Sequence, residues 1–294
     1  MSTERESNSV FKPGQPQSSL AATAAAAGIQ RVSIEESIAK DFGSKIPHEL
    51  VPLPSRGLVY PSGHPLHLKE EVEISAMTSH EEDILMSRAL IKKGTVVTEL
   101  IRSCLVDKAI NPVEMIIGDR NALMVAVRVT GYGSEYPVEV TCGACEEKYE
   151  HTFDLASLPV RSLELSPVSP GTNEFEFVLP KSKATVVFKF ATGRDEEESL
   201  IIAERQKKLN LGNVDSPVTT GLRTAIVSVN GISDKAKLSQ FASRMLAYDS
   251  SALRSFIRAH EPTVEMKQHA ECQYCGHTEE VAVPIGVNFF WPNR

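Results

Sequence analysis

Apolar positions in this chain follow two spacings. Alternation in Glu71-Val-Glu-Ile-Ser-Ala-Met and Lys148-Tyr-Glu-His-Thr-Phe predicts strands with one buried face, and Glu174-Phe-Glu-Phe-Val-Leu and Ala184-Thr-Val-Val-Phe-Lys-Phe also read as strands. Further strands are expected around Val138–Val140, Glu265–Ala270 and Glu279–Val283. A three-to-four spacing predicts helices near 95–105, 112–117, 119–129, 194–209, 218–227, 234–246 and 250–259. Thr78, followed by Glu81, Glu82 and Asp83, reads as an N-cap with acids in the first turn, where the helix dipole favours them. Ser33 with Glu36 three residues later predicts a short capped helix. Prolines 52, 54, 61 and 65 remove backbone donors from Val51–Pro65, which predicts an extended strip laid over a surface rather than an inner strand.

The order of elements occurs twice. Asp119-Arg-Asn-Ala-Leu corresponds to Asp249-Ser-Ser-Ala-Leu, Arg128 to Arg258, Glu135 to Glu265, Cys142 to Cys272 and Cys145 to Cys275, always 130 residues apart and without a gap. Seven of 27 aligned places are identical, and they fall on a helix start, a helix end and both cysteine pairs. This predicts an internal duplication, and two copies of one design pair naturally about a pseudo-two-fold axis. The expected fold is α+β: two pseudo-two-fold-related repeats, each of helices plus a small antiparallel sheet carrying half of a zinc-ribbon-like four-cysteine site. The expected divisions are a flexible arm over 1–49, a first repeat over 50–157, a linker rich in Pro and Ser over 158–172 and a second repeat over 173–294. The arm is mostly Ser, Gln, Pro and Ala, with too few large apolar residues to build a core.

Four of the five cysteines form the knuckles Cys142-Gly-Ala-Cys145 and Cys272-Gln-Tyr-Cys275. A two-residue spacer aims both sulfurs at one centre, and tetrahedral zinc takes four such ligands. Because each repeat has one knuckle, the expectation is one structural Zn2+ held by Cys142, Cys145, Cys272 and Cys275, clamping the halves together. His269 and His277 flank the second knuckle as spare groups; the first carries Glu147 at the place of His277, so the repeat does not require a histidine. A redox dithiol and inert thiols are the alternatives. The first is disfavoured because redox C-x-x-C motifs open a helix, whereas strands flank these. Four thiolates leave no open position for a catalytic water. Cys104 is expected inside a helix face.

Composition narrows the function. The 294 residues, 41 % apolar, are enough for two domains with cores. Thirty-one basic against 38 acidic residues give a net charge of −7, and no Lys/Arg cluster lies beside either knuckle, so no nucleic-acid footprint is expected. No apolar run approaches the roughly 20 residues of a membrane helix, and the start of the chain has no secretory signal pattern. Five cysteines are too few for a disulfide scaffold, so synthesis in a reducing cytosol is expected. Gly131-Tyr-Gly133 follows a helix and reads as its stop; phosphate-loop, nucleophile-elbow and H-E-x-x-H motifs are missing. No catalytic residues and no small-molecule substrate are expected. Phe11, Leu53, Leu58, Tyr60, Phe289, Phe290 and Trp291, large side chains on chain read as irregular, are the expected partner contacts; packing of Phe289, Phe290 and Trp291 on their own domain is the alternative.

The motifs Leu53-Pro-Ser-Arg-Gly-Leu-Val-Tyr-Pro, Glu81-Glu-Asp-Ile-Leu, Ile91-Lys-Lys-Gly, Gly118-Asp-Arg-Asn-Ala-Leu, Gly131-Tyr-Gly-Ser-Glu-Tyr and Cys142-Gly-Ala-Cys occur in this order. Together they resemble the T-even-type bacteriophage baseplate protein family, the baseplate hub subunits of contractile-tailed phages. The resemblance covers roughly residues 50 to 155 well and the second half more loosely. It implies a non-enzymatic virion protein of the tail baseplate, made in the host bacterial cytoplasm, touching hub, tube-end and wedge proteins. It brings no catalytic residues, and the zinc rests on cysteine spacing alone. An assembly factor absent from the finished tail and a zinc-ribbon nucleic-acid-binding regulator are the alternatives.

Overall fold

Strand β1 (His48–Pro52) pairs antiparallel with β2 (Glu71–Ser75), Val51 facing Val72. The alternation in β2 buries Val72 and Ile74 and leaves Glu71 and Glu73 outside. These are the first elements of a computed structural model that describes residues 46–208, 217–285 and 287–290. Residues 1–45 of the expected arm, with Phe11 and the Ser33 helix, lie outside the described residues, as does Trp291; the last two positions of that arm, His48 and Glu49, belong to β1. Between β1 and β2 the chain turns repeatedly instead of forming the expected surface strip. Leu53, Ser55, Val59, Tyr60 and Leu66 are all buried. The prolines do remove donors, but the turns fold the apolar side chains inward. Gly57 permits this, because at φ +70° a side chain there would meet the backbone nitrogen of Lys69 at 2.4 Å.

Helices α1 (Ser79–Met86), α2 (Arg88–Lys93) and α3 (Val96–Cys104) follow. Thr78 caps α1 as expected: its backbone N–H and hydroxyl donate to Glu81 at 2.8 and 2.6 Å, and it accepts from the first turn. The expected helix over 112–117 is absent; turns lead instead to Ile116, which bridges to Thr192. Helix α4 (Ile117–Tyr132) then runs through the core and stops at Gly133, φ +84°. Its end leads into the hairpin of β3 (Glu135–Thr141) and β4 (Lys148–Asp154).

A 3-10 turn (Leu155–Ser157) ends the expected first repeat, and the two-residue β5 (Val160–Arg161) lies in the expected linker, where Leu158 and Leu163 are buried. Next come β6 (Phe175–Val178), β7 (Thr185–Phe188), α5 (Gly193–Lys208), α6 (Pro217–Ala225) and β8 (Ile226–Val229); the strands form a sheet in the order β6-β7-β8. Thr192 and Asp195 form the start of α5 as Thr78 and Glu81 form that of α1. Helices α7 (Lys235–Arg244) and α8 (Ala247–His260), β9 (Thr263–Val264), the hairpin of β10 (Lys267–Glu271) and β11 (Thr278–Ala282), and α9 (Val287–Phe290) complete the chain.

One apolar core runs from Val51 to Phe290. Gly118 shows how closely the halves meet: a side chain there would lie 1.6 Å from the carbonyl oxygen of Pro262, so only glycine lets α4 press on the chain entering β9. β5 pairs with β9 across the same region. The architecture is α+β, a helical body with small antiparallel sheets. Every residue pair of β10–β11 lies 130 positions beyond a pair of β3–β4, from Pro137↔Thr152 and Lys267↔Ala282 to Thr141↔Lys148 and Glu271↔Thr278.

Candidate metal centre

Each knuckle is the tip of a hairpin, built by alternating strands that carry two cysteines to their end. In the first, Cys142 N–H donates to Glu147 O at 3.0 Å and Glu146 N–H to Cys142 O at 3.0 Å. In the second, Cys272 N–H donates to His277 O and Gly276 N–H to Cys272 O, both at 2.9 Å. Both turns need a left-handed residue at the same place, Glu146 (φ +61°) and Gly276 (φ +70°). The turn frees backbone amides for the sulfurs: Ala144 N–H lies 3.4 Å from Cys142 Sγ.

The tips bring all four sulfurs within 4.8 Å of one another. Across the knuckles, Cys142 Sγ lies 3.7 Å from Cys275 Sγ, and Cys145 Sγ 3.7 Å from Cys272 Sγ. A tetrahedron with metal–sulfur distances of about 2.3 Å has edges of about 3.8 Å, so the spacing fits one four-coordinate ion. Donation from the Cys145 and Ala144 amides pulls the Cys142 thiol down to about 6. The Glu147 amide acts on Cys145 in the same sense, but burial and the neighbouring thiols outweigh it and push that group up to about 12. Four thiols in one cluster cannot all ionise beside each other without a cation to neutralise them.

Side chains from the opposite hairpin fix this arrangement. Glu279 Oε1 accepts from Gly143 N–H at 2.8 Å, Gln273 Nε2 donates to Glu150 O at 3.0 Å, and Gln268 Nε2 donates to Asp154 O at 2.6 Å. No periodicity or motif marks Glu279, Gln273 or Gln268; only the pairing of hairpins reveals them. His269 and His277 are exposed and are not members of the sulfur group. The knuckles end hairpins rather than open helices, which separates them from redox dithiols. Cys104 is fully buried in α3, where desolvation pushes its thiol up to about 12.

The expected partner contacts are corrected by burial. Leu53, Tyr60, Phe289 and Phe290 belong to the chain's own core, and Leu58 packs against it. The reason is local. Tyr60 OH donates to Asp119 Oδ2 at 2.7 Å, and Asp119 also accepts from Ser55 N–H at 2.9 Å and Ser55 Oγ at 2.6 Å. Burial pushes the Asp119 carboxyl up. Phe289 packs edge-on against Tyr136 with ring centroids 5.5 Å apart, and its carbonyl accepts from Arg128 Nε. Arg128 is fully buried and also donates to Gly133 O at 2.6 Å and Glu135 O at 3.1 Å. The matching Asp249 accepts from Lys181 and Ser182 N–H at 2.8 and 3.0 Å, whereas the matching Arg258 is exposed.

Fold and site thus define an α+β protein whose two hairpins assemble a closed, metal-type four-cysteine centre. The family model described as T4 bacteriophage base plate protein matches residues 60–291, most of the chain. The chain belongs to that family and is a phage baseplate protein of the virion tail. No curated protein and no solved structure matches it. Among the described residues, no helix is long and apolar enough to cross a membrane.

Proposed function

We propose that the protein is a non-catalytic structural subunit of the hub region of a contractile phage tail baseplate, holding position between hub, tube-end and wedge proteins. Membership of the baseplate family carries this reading. The sulfur cluster supports it: four thiolates from two hairpins fill a tetrahedron, which suits a clamp and leaves no position for substrate or water. Cys142, Cys145, Cys272 and Cys275 would hold one structural zinc. That ion supplies a fixed joint, while the cross-hairpin bonds from Glu279, Gln273 and Gln268 orient the knuckles around it.

The halves are two copies of one design about a pseudo-two-fold axis. The 130-residue register match of the hairpins supports this, as does a reciprocal exchange of the segments that follow them. After the first hairpin, Arg161 reaches the second half, donating to Arg258 O at 2.5 Å and pairing with Glu265. After the second hairpin, Pro284 O accepts from Tyr136 OH at 3.0 Å and Phe289 O accepts from Arg128, both in the first half.

The test is quantitative protein analysis of purified virions together with imaging of the intact baseplate. Stoichiometric presence beside the tube end supports the subunit reading. Presence in assembly intermediates and absence from virions would make the protein an assembly factor, and retention on DNA at physiological salt would favour a regulator.

A further inference from the structure

Helices α5, α6 and α8 leave an open cleft of about 730 Å³ between them, floored by Ile117, Ala191, Leu222 and Ile257. The volume falls in the ordinary range of binding clefts, about 300–1,000 Å³. One stripe of α8 lines it: Arg254, Ile257 and Arg258. The residues 130 positions earlier on α4 are Met124, Val127 and Arg128, and all three are buried. Among the described residues, the same helical face is therefore covered in the first half and open in the second.

The open face also carries an unpartnered donor. Arg254 Nε is buried without a hydrogen-bond partner. Among the described residues, neither Arg254 nor Arg258 forms an ion pair. Of the acids that line the cleft, Asp195 pairs with Lys189 at 2.7 Å and Glu196 with Arg120 at 2.8 Å, while Glu261, just past the end of α8, is partly buried with Arg161 as its charged neighbour and pairs with neither arginine. An apolar cleft with two free guanidinium groups one helical turn apart matches an apolar segment that carries a carboxylate.

We infer that this cleft docks an amphipathic helix of a neighbouring baseplate protein, its apolar ridge on Leu222 and Ile257 and an Asp or Glu on Arg254 and Arg258. The inference rests on the baseplate reading and adds the surface and the chemistry of its partner.

Gly221 suits a block, because it lines the cleft and a Cβ added there meets nothing within 4 Å. Gly221→Trp and Gly221→Ala are compared with wild type in phage lacking the native subunit, by thermal melting and by the amount recovered in purified baseplates. Gly221→Ala is expected to raise Tm and incorporate normally. Gly221→Trp is expected to keep Tm and lose at least tenfold in incorporation. Arg254→Glu is expected to lose incorporation to a similar degree, and it decides the matter should the tryptophan lower Tm. A photo-crosslinking residue at Thr220 is expected to capture another baseplate protein through a segment containing an acidic residue. Wild-type incorporation by the decisive variant overturns the inference, as does crosslinking only within the chain, to a second copy or to a small molecule. Absence of the wild-type protein from baseplates would instead overturn the subunit reading.

Discussion

Arg128 and Arg258 occupy matching places 130 residues apart, yet the first is fully buried and the second exposed. Replacing each by Met tests whether packing or sequence position decides what an arginine contributes. At 128 the methionine keeps the apolar stem against the rings of Tyr132 and Tyr136, which the guanidinium carbon approaches to 5.6 and 5.9 Å. It strands three backbone carbonyls, those of Gly133, Glu135 and Phe289. Each stranded acceptor costs about 1–3 kcal/mol, and relief from burying a cation returns several kcal/mol, so a net loss of about 3–4 kcal/mol is expected. Lysine, a point charge with a different reach, should recover about half of that. Arg258→Met should cost less than about 0.5 kcal/mol, as an exposed substitution does. Urea unfolding of metal-loaded protein reads these differences as shifts in midpoint at constant slope. Hydrogen exchange in Val287–Phe290 should rise only in the 128 variants, since only they release the Phe289 carbonyl. Equal losses at 128 and 258, or an unchanged C-terminal segment, would refute the reasoning.

Metal analysis should find one equivalent of zinc per chain, lost on Cys272→Ser or Cys275→Ser; two equivalents or none would sink the shared site. Chelation should lower Tm by about 8–16 °C if the joint contributes about 4 kcal/mol, with release favoured at acid pH because the ligands must stay deprotonated. Glu146→Gly should stabilise by about 0.5–1 kcal/mol and Gly276→Glu should destabilise, since both positions are left-handed and neither change removes a ligand; the thermal melts of the two variants moving in one direction would count against this. Glu81 is held below the usual carboxylate range: burial opposes its ionisation, but donation from Ser103 and Thr78 outweighs it. Its contribution is therefore present above the unfolded-state value of 4.5 and lost as pH falls through the lower folded value. Glu81→Gln should flatten that part of the acid limb and cost about 1 kcal/mol near neutrality, and an unaltered limb in pH-dependent unfolding would exclude the role.

The elements that periodicity revealed are those whose burial is set locally. The alternation of Lys148–Phe153 and the cap at Thr78 depend on neighbours in sequence, and both were legible. The strip from Val51 to Pro65 misled because prolines report only which donors are missing. They say nothing of turns that fold Leu53 and Tyr60 under the buried carboxylate of Asp119, 59 residues from Tyr60 in the chain. Phe289 and Phe290 left two readings open for the same reason: the contact that holds them comes from Arg128, 161 residues before the Phe289 carbonyl it binds. The cysteine site was legible in its ligands and not in its supports, because a thiolate quartet constrains residue type while Gln268 and Glu279 act through geometry alone.

The residues that match 130 positions apart also differ in how far each depends on its counterpart. One ion held by all four thiolates would make each knuckle half of a tetrahedron and tie the two pairs to each other; their turns match, with Glu146 and Gly276 both left-handed. An arginine on a helix face is complete in its own half. Arg128 was free to become a buried clamp on the C-terminal segment, and Arg258 was free to stay on the rim of an open cleft. Under the proposed reading, a single joint that needs both halves, beside faces that need only one, would keep the chain one body while it presents different surfaces. A subunit held among several different neighbours has use for that combination.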